Sequence, residues 1–254
     1  MSIPVVMYHH VLSKESFISS GISNFEKQMK LLYDENWKTI TSEEFYLFKK
    51  KRLKLPKKSI LITFDDGWRD NYIYAYPILK KYNLKATLFI VTQWIEKASN
   101  EDDCEYIETK HSECKSLVST NPRRVICTWN ELKKMSDVFD YHSHTHTHYD
   151  NYFDKTSLED EFIKSKELIK NRLGFEDKQL CWPRGIYTDE SVKLANENNF
   201  EILYTTKRGI NLADDKLLEI KRFAAKKDEK WLKKNLFIYS NNLIGKIYSW
   251  IKPQ

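Results

Sequence analysis

The chain has 254 residues, of which 41% are hydrophobic and 31% are charged, so it can bury the core of one α/β domain of ordinary size. Its formal charge of +6 is dispersed over lysines and forms no basic stripe interleaved with stacking aromatics, so we expect no nucleic-acid partner. No apolar run approaches the roughly 20 residues of a membrane span. The chain as given shows no signal peptide, and we expect a cytoplasmic protein. The excess of basic residues is also compatible with peripheral contact at the inner face of the membrane.

Apolar runs alternate with amphipathic stretches along most of the chain, which is typical of parallel α/β architecture. The predicted strands are residues 3–8, 60–66, 86–91, 138–141, 179–182, 201–206 and 217–222. The predicted helices are one capped by Ser23–Asn24, one opened by Ser42–Glu44, one over 69–82 interrupted at Pro77, one beginning at Thr128, and one over 158–173 ended by Gly174. We therefore expect a single domain over residues 1–254.

Two segments depart from this alternation. Residues 96–124 are rich in Asp, Glu, Ser and Lys and predict a polar insertion beside the mouths of the strands. The tail from about residue 226 is aromatic, apolar and basic, so it can pack as a peripheral closing helix or lie on a membrane interface. The four cysteines show no metal or redox spacing and predict reduced thiols, with a loop disulfide between Cys104 and Cys114 as the alternative in an oxidising compartment.

The most informative strand ends in two adjacent carboxylates. Residues 60–64 form an almost continuous apolar run, which is typical of a strand buried on both faces. Asp65 and Asp66 follow at its carboxyl end, the edge at which parallel α/β folds gather their reactive groups. Two neighbouring carboxylates repel each other there and need a cation or a proton. The alternative is a solvated Asp-Asp-Gly turn.

A second cluster places four of the seven histidines within seven residues, at positions 142, 144, 146 and 148. His144 and His148 are four residues apart, so one helical turn or a tight loop can point both imidazoles in the same direction. A carboxylate from another strand end can complete a facial metal site with positions left open for water. An exposed histidine tract with adventitious metal affinity is the alternative, and the acid pair at positions 65 and 66 argues against it.

Several segments carry a family resemblance. They are Pro4–Val11, Thr63–Gly67, Asp70–Tyr72, Ala75–Tyr82, Ala86–Phe89 and Ser143–His148. In this order they resemble the polysaccharide deacetylases of carbohydrate esterase family four, which share the NodB homology region. The opening segment resembles the circularly permuted branch that includes the bacterial poly-N-acetylglucosamine deacetylases. The resemblance covers at least residues 3–10 and 59–225, and it implies a distorted (β/α)7 barrel.

The resemblance also implies an activity and a division of roles. The expected enzyme is a metal-dependent hydrolase that removes the N-acetyl group from an N-acetylated amino sugar of a bacterial glycan or glycan precursor. Asp66, His144 and His148 would hold a divalent cation, with Zn²⁺ preferred and Co²⁺, Ni²⁺ or Fe²⁺ as alternatives. Asp65 would act as the general base. No histidine follows His148 in this chain, so His9 is the candidate for the general acid.

The chain departs from the family pattern near the third site segment. Arg184 stands where a tyrosine is usual, and its backbone N–H is expected to stabilise the oxyanion. Cys181 occupies the place where unpermuted relatives have the arginine that orients the catalytic aspartate. Arg222, at a predicted strand end, is the candidate for holding Asp65, with an ordinary surface salt bridge as the alternative. Trp182 and His10 are further candidates for substrate contact or for support of the site.

Two other functions fit the same motifs. One is removal of another N-acyl group, such as formyl, from a lipid-linked or nucleotide-linked sugar. The other is non-catalytic carbohydrate binding by a vestigial site. In each case the expected partner is a carbohydrate: an N-acetylated sugar, an oligosaccharide or a glycolipid. The sequence does not indicate the oligomeric state.

Overall fold

A computed structural model describes residues 1–148 and 157–251 of the chain. The strands are β1 Val5–Tyr8, β2 His10–Leu12, β3 Ser19–Gly21, β4 Lys38–Thr39, β5 Ser59–Asp66, β6 Ala86–Ile90, β7 Phe139–Ser143, β8 Gln179–Cys181, β9 Ile202–Tyr204 and β10 Phe223–Ala224. The helices are α1 Ile22–Asp34, α2 Ser42–Lys49, α3 Tyr76–Lys81, α4 Thr92–Ser99, α5 His111–Thr120, α6 Trp129–Lys134, α7 Leu158–Leu173, α8 Asp189–Glu197, α9 Glu229–Ser240 and α10 Asn242–Ile251.

Seven of these strands form one parallel sheet in the order β10-β1-β5-β6-β7-β8-β9, and β4 pairs with the start of β5. The sheet curls until its two ends approach each other. Ile220, which lies just before β10, forms a parallel bridge with Tyr204 of β9. This curled sheet with helices around it confirms the predicted α/β fold of the distorted (β/α)7 type.

The register of the central strands brings the functional segments together. Every residue of β5 is buried, as its continuous apolar run predicts. Tyr8 at the end of β1 lies opposite Phe64, and Asp66 at the end of β5 lies opposite Ile90 at the end of β6. Because all these strands are parallel, the segments that follow β1, β5 and β7 meet at one edge of the sheet.

The prediction of a strand over residues 217–222 is wrong in its extent. The backbone N–H of Leu203 donates to Leu217, and that of Thr205 donates to Ile220. Between these two hydrogen bonds the segment 217–220 advances three residues, while the segment 203–205 advances two. The extra residue in the first segment interrupts the regular hydrogen bonding between the two segments, as a β-bulge does. The regular strand in this region is β10, which is two residues long and pairs with β1.

Two predicted helices also differ in detail. The first begins at Ile22 with Gly21 as its N-cap, and not after the predicted cap at Ser23–Asn24. The predicted interruption near Pro77 is confirmed, because a π-helical turn over Asn71–Ala75 precedes α3. Ala75 and Tyr76 both have helical backbone angles, so α3 continues directly from the π-helical turn. Pro77, which has no N–H to donate, lies where the hydrogen-bonding pattern changes from π to α.

The polar insertion is more ordered than a long loop. It contains the end of α4, the whole of α5 and a 3₁₀ turn over Pro122–Arg124. Buried ion pairs tie it to the body of the protein, since Glu131 at the start of α6 accepts hydrogen bonds from both Arg69 and Arg123. All four cysteines are free thiols in the structure.

The tail forms two helices. α9 packs its buried side chains, Leu232, Leu236 and Tyr239 among them, into the main hydrophobic core. α10 leaves most of its side chains at the surface, with Gly245 buried. Among the described residues, no helix combines the length and the apolar character that crossing a bilayer requires.

Candidate metal and catalytic site

Three side chains converge at the carboxyl edge of the sheet with the geometry of a metal site. Oδ1 of Asp66 lies 3.4 Å from Nε2 of His144 and 3.4 Å from Nε2 of His148. A tetrahedral ion with bonds of about 2.1 Å needs ligand atoms about 3.4 Å apart, so the spacing suits a zinc-like cation. The three donors form a cluster that can hold an ion, as the sequence predicted from the acid pair and the histidine motif.

Hydrogen bonds orient two of these three side chains, His144 and Asp66. Nδ1 of His144 lies 2.8 Å from the carbonyl oxygen of Cys181, which fixes the tautomer that leaves Nε2 free to bind metal. The indole N–H of Trp68 donates to Oδ2 of Asp66 at 2.8 Å and leaves Oδ1 for the ion. The backbone adopts positive φ angles at Asp66 and at His148, conformations that cost energy and that the surrounding structure enforces.

The electrostatics of the site favour a cation. Burial raises the pKa of Asp66, but hydrogen bonding and charge interactions with His144 and His148 outweigh it and hold the pKa well below its usual range. Burial lowers the pKa of His148 to about 4, so its imidazole is neutral near pH 7. Burial lowers the pKa of His144, but its interactions with Cys181, Asp66 and Asp65 outweigh that effect and hold the pKa well above its usual range. A divalent cation bound here would therefore displace a proton from His144 and replace its positive charge beside Asp66.

Asp65 belongs to a different arrangement. Its two oxygens accept hydrogen bonds of 2.7 and 2.8 Å from the Arg222 guanidinium in a bidentate pair, and both side chains are almost fully buried. The Arg222 side chain also donates to the carbonyl oxygen of Thr205 at 2.9 Å. Burial raises the pKa of Asp65, but the charges of Arg222, His144 and His9 and the hydrogen bonds from Arg222 together outweigh this effect, so the pKa lies below its usual value and the carboxylate is ionised. A held, ionised carboxylate beside a metal site can accept a proton from water.

Cys181 offers a second donor set that we do not favour. Its thiol lies near Asp65 and His144, and these three groups could also surround an ion. Burial raises the pKa of the Cys181 thiol, which opposes formation of the thiolate that binds metal. Both oxygens of Asp65 are already bound to Arg222. The Asp66 cluster is therefore the better cation site.

His9 lies on the other side of Asp65. Its Nε2 is 3.8 Å from Oδ2 of Asp65, and its side chain keeps 22% of its surface exposed. Burial lowers the pKa of His9, while Asp65 and Asp66 oppose that shift. The amide of Asn71 donates to the His9 carbonyl oxygen at 2.9 Å and fixes the backbone that presents the ring. The ring is thus accessible, and it lies beside both acidic residues.

The remaining predicted site residues differ in their placement. Arg184 follows β8 with a φ of 56°, and its side chain is exposed at the carboxyl edge. Trp182 is fully buried against Phe162 and Tyr187, so it supports β8 from within the core and does not offer its ring to a substrate. His10 is also fully buried, and it supports the site from behind without direct access to the cleft.

His10 belongs to a polar cluster that the sequence did not reveal. Its Nδ1 lies 2.7 Å from Oδ2 of Asp70, and its Nε2 lies 3.0 Å from Nδ1 of His111. Its ring stacks on Trp68, the residue that donates to the metal ligand Asp66. His111 comes from the start of α5, so the insertion does reach the site. A single histidine in a polar segment gave no periodic or spacing signal by which to find it.

The other two histidines of the cluster have different partners. Nδ1 of His142 lies 2.7 Å from Asp177, and this ring faces away from the metal ligands toward the start of α2. Nδ1 of His146 lies 3.0 Å from the Thr92 hydroxyl. His144 and His148 are therefore the two candidate metal ligands among the four histidines, and His142 and His146 bind other partners. The alternation of the strand and the tight loop after it cause this division.

A groove next to the site is lined by the β2–β3 loop and the insertion. It has a volume of about 490 Å³ and is bordered by Phe17, Glu108, Lys110 and His111. Phe17 is 83% exposed, and its ring centre lies 6.3 Å from that of His111. The turn that carries Phe17 is braced because the Ser16 hydroxyl accepts from the backbone of residues 18 and 19. An exposed aromatic ring on a braced turn is a surface on which a sugar can stack.

The chain belongs to the polysaccharide deacetylase family, whose family model matches residues 52–203. It is 30% identical over 222 residues to YxkH of Bacillus subtilis, a protein assigned by name to the polysaccharide deacetylases, with 87% of this chain and 70% of that protein covered. It is 31% identical over 170 residues to the poly-beta-1,6-N-acetyl-D-glucosamine N-deacetylase of Staphylococcus aureus. That alignment covers 67% of this chain and 55% of the staphylococcal protein. The resemblance to this family and to its poly-N-acetylglucosamine branch is thereby confirmed.

Solved structures agree on the fold. The Streptococcus pyogenes deacetylase PplD, solved in complex with acetate, superposes with a TM-score of 0.75 at 24% identity over 93% of this chain and 98% of that one. IcaB from Ammonifex degensii superposes with a TM-score of 0.74 at 19% identity over 94% and 97% of the two chains. At these identities the likeness establishes the shared fold.

Proposed function

We propose that this protein is a metal-dependent hydrolase that removes the N-acetyl group from an N-acetylated amino sugar in a bacterial glycan or glycan precursor. The proposal depends chiefly on one observation. Asp66, His144 and His148 are spaced to hold a cation, while the ionised Asp65 and the partly exposed ring of His9 lie next to them and outside the donor set. Family membership supports the carbohydrate substrate.

The cation would be bound by Asp66, His144 and His148, and we propose Zn²⁺, with Co²⁺, Ni²⁺ or Fe²⁺ able to use the same donors. One aspartate and two histidines match the borderline donor preference of zinc and leave coordination positions open for water and substrate. When bound, the ion supplies an acidified water and polarises the acetamide carbonyl.

The protein's own residues then divide the proton transfers. Asp65 accepts a proton from the attacking water at a carboxylate oxygen, and Arg222 keeps that carboxylate ionised and correctly directed. His9 donates a proton to the nitrogen of the departing amine, because an amide nitrogen leaves poorly unless it is protonated. We propose that the backbone N–H of Arg184, which follows β8 at the same edge of the sheet, stabilises the developing oxyanion. The products are acetate and a free amino sugar.

The groove beside the site supports an oligosaccharide substrate. Phe17 offers an exposed ring, and Glu108 and Lys110 offer polar contacts to hydroxyl groups. A sugar unit adjacent to the reacting one would extend into this groove past His111. We therefore propose a glycan or glycan-linked substrate of two or more sugar units, similar in chemistry to the polymer named for the staphylococcal relative.

The direct test is a product assay on metal-reconstituted protein. A panel of free, nucleotide-linked and lipid-linked N-acetylated sugars and short oligosaccharides is incubated with the enzyme, and acetate and formate are quantified separately. We expect acetate release that requires metal, and we expect Asp65→Asn to bind metal normally while losing about 10²- to 10⁴-fold in turnover. Formate release from N-formyl sugars would establish the deformylase alternative. Full activity of Asp65→Asn would refute the assigned base, and sugar binding without turnover would establish a vestigial site.

A further inference from the structure

The two C-terminal helices carry an apolar surface that the fold does not cover. We define the C-terminal apolar face as five exposed side chains of α9 and α10, namely Phe237, Leu243, Ile247, Trp250 and Ile251. Trp250 is 83% exposed and Leu243 is 69% exposed, values that a core-facing helix does not show. Large apolar side chains clustered in this way mark an interaction surface.

The spacing of these residues makes α10 amphipathic. Leu243, Ile247, Trp250 and Ile251 stand at positions i, i+4, i+7 and i+8, so they share one stripe about 100° wide. The opposite side of the helix is anchored to the protein. Gly245 is buried so closely that a Cβ there would meet Ile210 and the carbonyl oxygen of Ile238, and Tyr248 packs edge-on against Tyr239. The stripe is therefore held outward by contacts on the inner side.

Positive charge surrounds this face. Phe237 and Leu243 line a cavity of about 740 Å³ together with Lys57, Lys58 and Lys233. Glu35 is the acidic residue in the same lining, and it pairs with Lys233 at 2.6 Å, so three lysines and one glutamate leave an excess of two positive charges there. Lys246 is exposed beside the stripe, and the sequence of α10 contains no acidic residue.

We propose that the C-terminal apolar face binds an anionic lipid surface. Apolar and tryptophan side chains enter the interface between headgroups and acyl chains, and the surrounding lysines contact the anionic headgroups. A second copy of the chain fits less well, because a two-fold contact would bring the same lysines of both copies together. The complementary charge therefore selects an anionic bilayer as the occupant.

The location of this face leaves the catalytic cleft accessible. Lys57 and Lys58 immediately precede β5, whose last two residues are Asp65 and Asp66. From the first to the last of the 8 residues of β5, seven steps of about 3.3 Å separate the two edges of the sheet by about 23 Å. The lysine-lined end of the face thus lies at the edge of the sheet opposite the metal site, and membrane binding would leave activity on soluble substrates unchanged.

Vesicle co-sedimentation tests the proposal without any need for catalysis. Protein comprising residues 1–254 is mixed with vesicles of phosphatidylcholine alone or with about one third phosphatidylglycerol, at low and at high salt. We expect strong binding to the anionic vesicles, weak binding to the neutral ones, and release by salt. Leu243→Glu combined with Ile247→Glu should weaken binding by at least about 100-fold, since both charges would enter the apolar layer.

A second variant and a control separate the contributions. Lys57→Gln combined with Lys58→Gln changes only exposed side chains, and at about fivefold per lysine it should weaken binding about 25-fold. Ile107→Glu places the same new charge on an exposed apolar residue of the insertion, outside the face, and should bind like wild type. Wild-type protein that stays in the supernatant with both vesicle types would overturn the proposal. A dimer in sedimentation equilibrium that Leu243→Glu with Ile247→Glu converts to a monomer would assign the face to a second copy instead.

Discussion

Replacement of Arg222 by glutamine would show whether Asp65, the proposed general base, depends on its buried partner. Arg222 is fully buried and holds both oxygens of Asp65, at 2.7 and 2.8 Å. Glutamine in its place removes the charge and the bidentate contact and leaves the Asp65 carboxylate buried without a cation. Breaking a buried pair in this way typically costs about 3–5 kcal/mol of the free energy of unfolding, because one charge remains desolvated and uncompensated.

The pH dependence of this loss has a defined sign. In the wild type the folded-state pKa of Asp65 is below its usual value, so its stabilising contribution is present above the unfolded pKa of about 4 and disappears as the pH falls through the folded pKa. In Arg222→Gln, burial acts without the guanidinium and raises that pKa. The stability difference between variant and wild type should therefore be largest near neutral pH and shrink toward acid.

Two measurements check this reasoning. Urea unfolding of the chelator-treated proteins between pH 4 and pH 8 gives the free energies, and acetate release gives kcat/KM over the same range. The acidic limb of kcat/KM should move to higher pH in Arg222→Gln, since the base must be ionised to act. Arg172→Gln is the matched control, because it removes an exposed pair with Glu96 that contributes at most about 1 kcal/mol. Unchanged stability together with an unshifted acidic limb in Arg222→Gln would refute the assigned support of Asp65.

Three further outcomes are expected. His9→Gln should reduce the rate of acetamide hydrolysis about 100-fold or more. It should reduce the rate little for an activated aryl acetate, because the leaving group of that substrate departs without a proton. Equal losses of rate on both substrates would contradict the role of His9 as the general acid. Zinc at 100 times its Kd should raise the free energy of unfolding of the wild type by about 2.7 kcal/mol, which corresponds to an increase of about 5–10 °C in the Tm measured by calorimetry. Zinc should not stabilise His144→Ala. The same Tm increase in both proteins would show that the metal binds elsewhere. Phe17→Ala removes about 50 Å² of stacking surface, worth about 1.2 kcal/mol or an eightfold increase in KM. This increase should appear for a tetrasaccharide and be absent for a monosaccharide, and an equal effect on both would exclude the groove as a sugar subsite.

The strand that carries the acid pair and the helix α7 could be predicted from the sequence, because each depends on residues that are close together in the chain. The continuous apolar run of β5 predicted a buried strand with Asp65 and Asp66 at its end, and the structure buries every residue of it. Regular apolar spacing predicted α7, which ends where Gly174 adopts the left-handed conformation at φ 83°. Periodicity and end signals are encoded within about ten residues, so a single sequence displays them.

Other features escaped the sequence because they depend on contacts between distant segments. His111 reaches His10 across 101 positions, and no local pattern marks a lone histidine in a polar insertion. Trp182 follows an apolar strand end and was a candidate for substrate contact, yet packing against Phe162 buries it completely. The bulge before β10 reflects the closure of the curled sheet, which requires β9 and its partner segment to advance at different rates.

The sequence by itself determined the chemistry that this protein has available: an acid pair at a strand end, paired imidazoles four residues apart, and an N-terminal histidine. Tertiary structure decided how that chemistry is distributed. It directed His144 and His148 toward Asp66 and turned His142 and His146 to other partners, and it brought Arg222 across 157 positions to Asp65. The physical reason is that a parallel sheet collects its strand ends at one edge, and only the packing at that edge fixes which atoms meet.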